Sequence, residues 1–306
     1  MSHTASIHLA LGAFDGVHLG HRAVLHSARA AARQAHGQVG VMTFEPHPSK
    51  VLRPEAAVPL IFNRAQKDER LTEAGAEFIH HQEFTLQHAA MEAADFPAWL
   101  LHHFKGLRSL HVGANFRYGQ GRAGDGDTLV RDAGKLGLAV QLVDPVLLDG
   151  TAVSSSRIRT ALRHGDLALA NRMLLRPYEA TGTIIDGRRL GRTIGFPTLN
   201  LPWNPELRPV FGVYAVELVN ATGVAEPAVA NWGLRPTVES GPVEPLLETH
   251  LLRPSGPLPV TGDAVRIRWL HFLRHEQKFA DLAALQTQIA DDARAAAVIH
   301  GLAGGR

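Results

Sequence analysis

The hydrophobic pattern of the chain changes abruptly near residue 177, and this change constrains the fold more than any other feature. Before it, short apolar runs alternate with helical patterns, whereas short β-rich runs separated by turn residues dominate after it. Alternating strands and helices predict a parallel sheet with helices on both faces. A succession of short strands and turns predicts a small antiparallel barrel. We therefore expect two domains, residues 1–176 and 177–306.

Individual elements follow from the same periodicities. In the first domain the pattern predicts strands at 7–11, 39–44, 107–112 and 139–143, with helices at 20–34, 65–74, 96–104, 128–136, 154–163 and 167–175. In the second domain it predicts strands at 180–185, 213–218, 228–232, 246–252 and 264–269. Apolar residues recur at helical spacing in 279–299, which predicts a C-terminal helix packed on the barrel.

Composition excludes several classes of site and partner. The chain has no cysteine, which excludes disulfides, thiolate nucleophiles and zinc sites built from cysteine. No apolar run approaches the roughly 18 residues that a membrane helix needs, and the first residues lack a basic signal-peptide head. A formal net charge of +2 without a dense basic run disfavours nucleic acid as a partner. We expect a cytoplasmic protein that binds neither membrane nor nucleic acid.

One motif joins the first predicted strand to the first predicted helix. Residues 11–21 read LGAFDGVHLGH, so that His18 and His21 flank a glycine where the helix begins. A helix N-terminus carries partial positive charge and favours phosphate. Gly20 between the two histidines allows the backbone to approach such a group closely. Two imidazoles there can donate hydrogen bonds to a triphosphate and to the charge that develops on phosphorus, which favours nucleotidyl transfer.

The first half resembles a known family. The motif just described, TFEPHP (Thr43–Pro48), VGANFRYGQGRAGD (Val112–Asp125) and VSSSRIR (Val153–Arg159) are similar to the adenylyltransferase module of the bacterial bifunctional riboflavin kinase/FMN adenylyltransferases, also called FAD synthetases. The resemblance implies a Rossmann-like nucleotidyltransferase domain that binds ATP and FMN, with His18 and His21 in catalytic contact with the ATP phosphates. It extends ATP and phosphate binding to Gly12, Phe14, Asp15, Gly16, Gly20, Asn115, Ser155, Ser156 and Arg159.

The second half resembles the riboflavin kinase module of the same family. The similarity lies in GRTIGFPTLN (191–200), FGVYAV (211–216), ANWGLRPT (230–237), LLETHLL (246–252) and LRHEQKF (273–279). It implies that Gly195, Thr198 and Asn200 bind ATP phosphates, with Thr198 and Asn200 also binding Mg²⁺. It implies that Glu248 is the general base for the ribityl 5′-hydroxyl. A hydroxyl and an amide carbonyl are hard oxygen ligands of the kind that Mg²⁺ prefers.

Several residues also have ordinary structural interpretations. Residues 154–156 could cap the following helix, and Thr198 and Asn200 could be turn residues. Arg117 and Arg122 could be phosphate neighbours or solvated charges, and Phe44 could line a flavin pocket or a core. The proline-rich stretch 253–260 departs from the family pattern, which usually has an acidic residue where this chain has Arg253.

The resemblance implies a bifunctional enzyme that phosphorylates riboflavin with ATP to FMN and then adenylylates FMN with a second ATP to FAD and pyrophosphate, with Mg²⁺ in both steps. Three alternatives remain open from the residues alone. An adenylyltransferase for another acceptor would fit the two histidines but not the GFPTLN segment. A kinase with an idle first domain is disfavoured by the intact motif, and a non-catalytic flavin-binding regulator is disfavoured by the complete set of phosphate-facing residues.

Overall fold

The computed structural model describes residues 5–187, 191, 195–234 and 245–302. Residues 192–194 and 235–237, which belong to two of the kinase-like motifs, lie outside this range. The contacts divide the chain into two compact units, Met1–Ser155 and Ser156–Arg306. The domain boundary expected after residue 176 stays a prediction.

The first unit is a layered α/β structure. Its strands are β1 (Ile7–Leu11), β2 (Gln38–Glu45), β3 (Phe78–Glu83), β4 (Leu107–Gly113) and β5 (Ala139–Val143), followed by the hairpin β6 (Leu147–Leu148) and β7 (Thr151–Ala152). Its helices are α1 (Leu19–Ala35), α2 (Pro48–Leu52), α3 (Arg64–Glu73), α4 (Leu86–Ala89), α5 (Phe96–His103) and α6 (Gly126–Gly134). The five main strands pair in parallel in the order β3-β2-β1-β4-β5.

Both faces of this sheet are covered, as the sequence predicts. Leu9 and Leu11 of β1 point into one core with α5 and α6, whereas Ala10 points into the other with α1. This alternation follows from the two-residue period of a strand. The parallel sheet with helices on both faces is therefore confirmed.

The second unit contains an antiparallel sheet that almost closes. Helices α7 (Ser155–Arg163) and α8 (Leu167–Leu174) are followed by β8 (Tyr178–Thr183), β9 (Leu199–Pro202), β10 (Gly212–Val219), β11 (Ala225–Leu234), β12 (Pro245–Leu251), β13 (Ala264–His275) and α9 (Leu282–Ile299). The strand order is β8-β13-β10-β11-β12-β9. Ile185, just after β8, forms a bridge to Asn200 of β9, which brings the two edge strands together. The small antiparallel barrel with a C-terminal helix is thus confirmed.

Two side-chain contacts fix helices on this sheet. Asn171 of α8 donates to the carbonyl of Trp269 and accepts from the backbone N–H of Tyr178, both at 2.8 Å. Arg274 of β13 forms two hydrogen bonds with Asp292 of α9.

The short elements α2, α4, β6 and β7 were not predicted, and three further differences have a clear physical reason. Strand β3 was not predicted, because its sequence FIHHQE is polar and it lies at the edge of the sheet, where burial is partial. Strand β9 was not predicted because it has only four residues. The last helix begins at Leu282 rather than 279, because Asp281 caps it by accepting from the N–H of Ala284. In the part of the chain that the structure describes, no helix is long and apolar enough to span a membrane.

Candidate active sites

The strand order places the motif at residues 11–21 at a topological switch point. The chain runs outward from β1 through β2 to β3 and then returns to the other side of β1 with β4. Ligands of open parallel sheets bind at the carboxyl ends of the strands where the order reverses in this way. The turn after β1 and the segment that begins at Ala114 after β4 both leave the sheet at this point.

The turn itself has an unusual backbone. Phe14, Gly16 and Val17 have φ angles of 51°, 88° and 39°, all in the left-handed region. Two non-glycine residues in this region store strain, which persists only where the surroundings fix it. Phe14 is 1% exposed, so the packing of its ring against the core holds the turn in this conformation.

His18 caps the helix that follows. Its Nδ1 accepts hydrogen bonds from the backbone N–H groups of Gly20 and His21 at 3.2 and 3.4 Å. A Cβ on Gly20 would lie 3.2 Å from the His18 ring, so the glycine gives the ring its place over the helix end. Because Nδ1 accepts, a neutral His18 carries its proton on Nε2, where it can donate. The sequence motif alone did not show that the histidine itself uses two of the helix N–H groups.

His21 lies directly against His18. The two imidazoles stack with ring centroids 3.7 Å apart, and Phe14 contacts His21 edge-on at 5.2 Å. Burial, followed by the charges of His18 and Lys67, lowers the pKa of His21 well below its ordinary value. Among the described residues, its buried Nδ1 has no hydrogen-bond partner. A neutral imidazole with an unsatisfied polar atom is suited to hydrogen-bond a phosphate that binds at the turn.

Three further contacts brace the turn. Asp15 accepts from the backbone N–H of Ile61 at 2.9 Å, and its own carbonyl accepts from the hydroxyl of Ser155 at 2.8 Å. Thr43 of β2 donates to the carbonyl of Ala13 at 3.0 Å. In this conformation, Asp15 and Ser155 therefore shape the turn.

The other site residues that the sequence predicted in the first half lie at several different places. Gly12 and Asn115 line one cavity beside the turn, and Asn115 is exposed. Ser156 is exposed in the first turn of α7, and Arg159 is buried one turn later in the same helix. The part of the prediction that the structure brings together is thus Gly12, the turn, His18, His21, Asn115 and Ser155.

An aromatic cavity of about 510 Å³ opens beside the turn. Its wall contains Phe44, Pro48, Phe84, His88, Met91, Phe96, Phe116 and Tyr118, together with Gly12, Asn115, Arg117 and Arg122. Phe44 and Phe84 meet edge-on at 5.6 Å, and Phe116 stacks with Tyr118 at 5.7 Å. An apolar, aromatic wall beside a helix N-terminus fits a flat heteroaromatic ring that carries a phosphate.

The second unit contains two adjoining cavities. The first barrel cavity, about 490 Å³, is lined by Gly187, Thr198 and Asn200, together with Pro254 and residues 258–261. The second barrel cavity, about 370 Å³, is lined by Glu248, Asn231, Arg274, Gln277 and the α9 residues Leu285 and Ile289. Thr198 and His250 line both cavities and therefore mark their junction.

Strand pairing aligns the polar residues of this junction. Glu248 of β12 lies opposite Asn200 of β9 on one side and opposite Asn231 of β11 on the other. Asn200 is 6% exposed, and a Cβ on Gly187 would come within 2.1 Å of its Nδ2. The absence of a side chain at residue 187 therefore gives the Asn200 amide its position. Gly195 lines neither cavity and has a left-handed φ of 86° in the turn before Phe196.

The donor set fits a magnesium ion only in part. Thr198 and Asn200 offer two neutral oxygens that line the same cavity. Within the described ranges, no cluster of three histidine or acidic side chains could hold a metal ion. Because Mg²⁺ commonly keeps water and substrate phosphates as ligands, two protein oxygens are compatible with a nucleotide-bound ion.

Several side chains near these sites were not singled out from the sequence. Thr43 and Lys67 lie beneath the first turn, and Asn231, Arg274 and Gln277 line the second barrel cavity. Only Thr43, within TFEPHP, lay in a quoted motif of the first half. The buried lysine on a polar helix gave no signal of its own.

Comparison with known proteins matches both halves. A family model described as FAD synthetase matches residues 1–157, and one described as riboflavin kinase matches residues 174–300. The bifunctional riboflavin kinase/FMN adenylyltransferase of Escherichia coli K12 is 36% identical over 294 residues, covering 96% of this chain and 93% of that protein. The Bacillus subtilis 168 protein of the same name is 37% identical over 290 residues, covering 93% and 89% of the two chains.

A solved structure has the same architecture over nearly the full length. It is described as a macrolide-efflux protein from Streptococcus pneumoniae and is 27% identical. The superposition gives a TM-score of 0.85 and covers 97% of this chain and 95% of the other. This match supports the fold, whereas both matched family models describe enzymes of flavin synthesis.

The fold and the sites define a two-domain transferase, in which a nucleotidyltransferase-type α/β domain precedes a kinase-type barrel. With both family models matched and relatives above 30% identity over nearly all of the chain, the protein belongs to the family of bifunctional riboflavin kinase/FMN adenylyltransferases. It phosphorylates riboflavin to FMN with ATP and transfers the adenylyl group of ATP to FMN, giving FAD and pyrophosphate.

Proposed function

We propose that adenylyl transfer takes place at the turn after β1 and in the aromatic cavity beside it. The stacked pair of His18 and His21 at the N-terminus of α1 carries this proposal. The isoalloxazine ring of FMN binds against the aromatic wall, and its phosphate reaches the turn. A phosphate oxygen of FMN attacks the α-phosphorus of ATP, and the bond from that phosphorus to pyrophosphate breaks. His18 donates from Nε2 to the charge that develops on the phosphate oxygens.

The kinase reaction is assigned to the junction of the two barrel cavities. Glu248 lines the second cavity, which therefore receives riboflavin, and Asn200 lines the first, which receives ATP. The riboflavin 5′-hydroxyl oxygen attacks the γ-phosphorus, the bond from that phosphorus to ADP breaks, and Glu248 takes the hydroxyl proton. Thr198 and Asn200 would hold a nucleotide-bound Mg²⁺, which neutralises phosphate charge when present.

Residues 1–176 and 177–306 are the proposed extents of the two domains, supported by family matches at 1–157 and 174–300. The roles of Gly16, Ser156, Arg159 and Gly195 in phosphate binding are carried over from the resemblance alone. The cytoplasmic location and the lack of a nucleic-acid partner stay predictions.

Two substitutions test the separation of the sites. We expect His21→Ala to lower the rate of FMN adenylylation by about 10²–10³-fold and to leave riboflavin phosphorylation unchanged. Glu248→Gln should lower riboflavin phosphorylation by about 10²–10⁴-fold and leave the conversion of added FMN to FAD unchanged. Both rates are measured by chromatographic separation of riboflavin, FMN and FAD over time.

Matched substitutions control for non-specific effects. His26→Ala changes an exposed histidine of α1, and Glu217→Gln changes a carboxylate of β10 outside both barrel cavities. Both should retain both activities. If His21→Ala lost both reactions equally, the assignment of one reaction to each unit would be wrong.

A further inference from the structure

Lys67 is a buried cation next to the adenylylation site. It lies on α3 and is 8% exposed. Its Nζ donates to the hydroxyl of Thr43 at 3.3 Å, and that hydroxyl donates to the carbonyl of Ala13 at 3.0 Å. Two hydrogen bonds thus connect the lysine to the turn between β1 and α1.

The surroundings of the ammonium do not resemble those of an ordinary structural ion pair. In the described part of the chain, Lys67 hydrogen-bonds a neutral hydroxyl rather than pairing with a carboxylate. Among the acidic groups that face it, Asp15 accepts from the N–H of Ile61 and Asp68 pairs with His81. Carboxylates lie near this ammonium, but its direct partner is a neutral hydroxyl, and a buried charge held in this way is costly. This cost points to a ligand-related reason for its presence.

The charges that act on Lys67 come from β2, from α3 and from the turn after β1. Glu45 of β2, Asp68 of α3 and Asp15 of the turn favour its charged form, whereas burial and Arg64 of α3 oppose it. Burial is the largest of these effects, and the pKa of Lys67 is lowered. A negatively charged ligand at the turn would add the counter-charge that these residues do not fully supply.

Lys67 also acts on His21. Its positive charge is one of the causes that lower the pKa of that imidazole, after burial and His18. Two imidazolium rings stacked at 3.7 Å would repel each other, so the site operates with at least one neutral ring. The lysine therefore favours a neutral His21, whose N–H can donate without a preceding proton uptake.

We propose that Lys67 is a positioning residue for adenylyl transfer, anchored beneath the turn by Thr43, that supplies fixed positive charge to the nucleotide phosphates. The proposal rests on the assignment of adenylyl transfer to this turn. As the FMN oxygen bonds to the α-phosphorus and pyrophosphate leaves, negative charge grows on the surrounding oxygens. A cation fixed before the reaction stabilises this charge without reorganisation.

The test compares Lys67→Met with Lys67→Arg. Methionine keeps the length of the apolar stem and removes the charge, whereas arginine keeps a charge that does not titrate. We expect Lys67→Met to lower kcat for FMN adenylylation by about 10–10³-fold and to leave riboflavin phosphorylation unchanged. Lys67→Arg should retain more of the adenylylation rate. Lys135→Met, at an exposed lysine of the same unit, is the matched control and should retain both activities.

The second readout is the titration of His21, followed by NMR of protein labelled in histidine. Without the lysine charge, the pKa of His21 rises toward its ordinary value, so the acid side of the pH–rate profile moves to higher pH in Lys67→Met. In Lys67→Arg, both should stay close to those of the unmodified protein. An unchanged His21 titration in Lys67→Met would show that the charge of the lysine does not act at the phosphate-facing histidines.

The outcomes separate the proposal from the assignment on which it rests. If His21→Ala abolishes adenylylation while Lys67→Met keeps at least a third of the rate and an unchanged His21 titration, the lysine proposal is overturned and the site stands. If His21→Ala keeps full adenylylation, the site assignment fails first. If Lys67→Met does not fold, Thr43→Val tests the proposal instead. Removal of the hydroxyl that anchors Lys67 should then lower kcat for FMN adenylylation. Full adenylylation activity of Thr43→Val would overturn the proposal.

Discussion

At the scale of single residues, Gly187 shows how one missing side chain shapes the proposed kinase site. A Cβ there would lie 2.1 Å from Nδ2 and 2.7 Å from Cγ of Asn200. The amide is the movable partner, so Gly187→Ala displaces Asn200 rather than the backbone. We expect about a tenfold loss of riboflavin phosphorylation, because a small misplacement of a phosphate-binding group is costly. The variant is assayed at saturating riboflavin over a range of ATP concentrations.

Gly256→Ala is the control for this substitution. A Cβ at Gly256 meets no atom within 4 Å, so the same change in composition displaces nothing. Its phosphorylation rate should equal that of the unmodified protein, and FMN adenylylation should be unchanged in both variants. Equal phosphorylation rates in Gly187→Ala and Gly256→Ala would show that the position of Asn200 does not matter for the kinase reaction.

At the residue level, the sequence pointed to groups that lie close together in the chain. His18, Gly20 and His21 lie within four residues, and their spacing with the strand-to-helix junction indicated a phosphate site. The supports of that site are distant in the chain: Thr43 and Lys67 are 24 residues apart, and Ser155 lies 140 residues from Asp15. Such contacts depend on how strands and helices pack, which periodicity alone does not determine. The capping role of His18 could not be predicted from the sequence either, because Ser, Thr, Asp and Asn are the usual N-cap residues.

At the scale of elements, the sequence predicted the buried strands better than the partly exposed ones. Strand β1 is a run of apolar residues with four of five buried, and its predicted range equals the observed one. Strand β3 carries two histidines and a glutamine at the sheet edge, where an apolar pattern is not required. Hydrophobic periodicity reflects burial, so it does not predict elements that are only slightly buried.

The docking of α9 yields a prediction at the same scale. Arg274 Nε and Nη2 donate to the two carboxylate oxygens of Asp292 at 2.8 and 2.6 Å, and Asp292 is 8% exposed at its side chain. Asp292→Leu leaves the arginine unpaired at a largely buried position. We expect it to lower the free energy of unfolding of the second unit by about 2–4 kcal/mol. The KM for riboflavin should rise, because Leu285 and Ile289 of α9 line the second barrel cavity.

The double variant Arg274→Leu/Asp292→Leu distinguishes pairing from packing. Replacing both partners by apolar side chains leaves no unpaired charge, so part of the stability should return. Urea unfolding of both single variants and the double variant gives the coupling energy between the two residues. A coupling energy near zero would mean that the ion pair does not fix α9.

At the scale of the whole molecule, the two units differ in their content of histidine. Thirteen of the 18 histidines precede residue 156. In the described part of the first unit, burial is the largest cause of a lowered pKa for His8, His21, His81, His88 and His111. Ser109 hydrogen-bonds both His8 and His111, at 2.7 and 2.8 Å, and His111 also contacts Ser27 at 2.8 Å. This buried chain of polar groups lies between β1, β4 and α1.

Mild acid should therefore destabilise the first unit before the second. Burial lowers the pKa of His111 from 6.5 to about 4 in the folded unit. Between these two pH values the unfolded chain binds a proton at His111, whereas the folded unit does not. The stability contributed by the neutral ring is complete above pH 6.5 and is lost as the pH falls, by about 2 kcal/mol at pH 5.

Hydrogen exchange in urea at pH 7.5 and 5, corrected for the intrinsic rates, measures the loss of stability separately in peptides of β4 and of β10. His111→Asn keeps a hydrogen-bonding side chain without a titrating group and should flatten the pH dependence in β4. Equal loss of protection in β4 and β10, unchanged by His111→Asn, would contradict the assignment of acid sensitivity to this histidine.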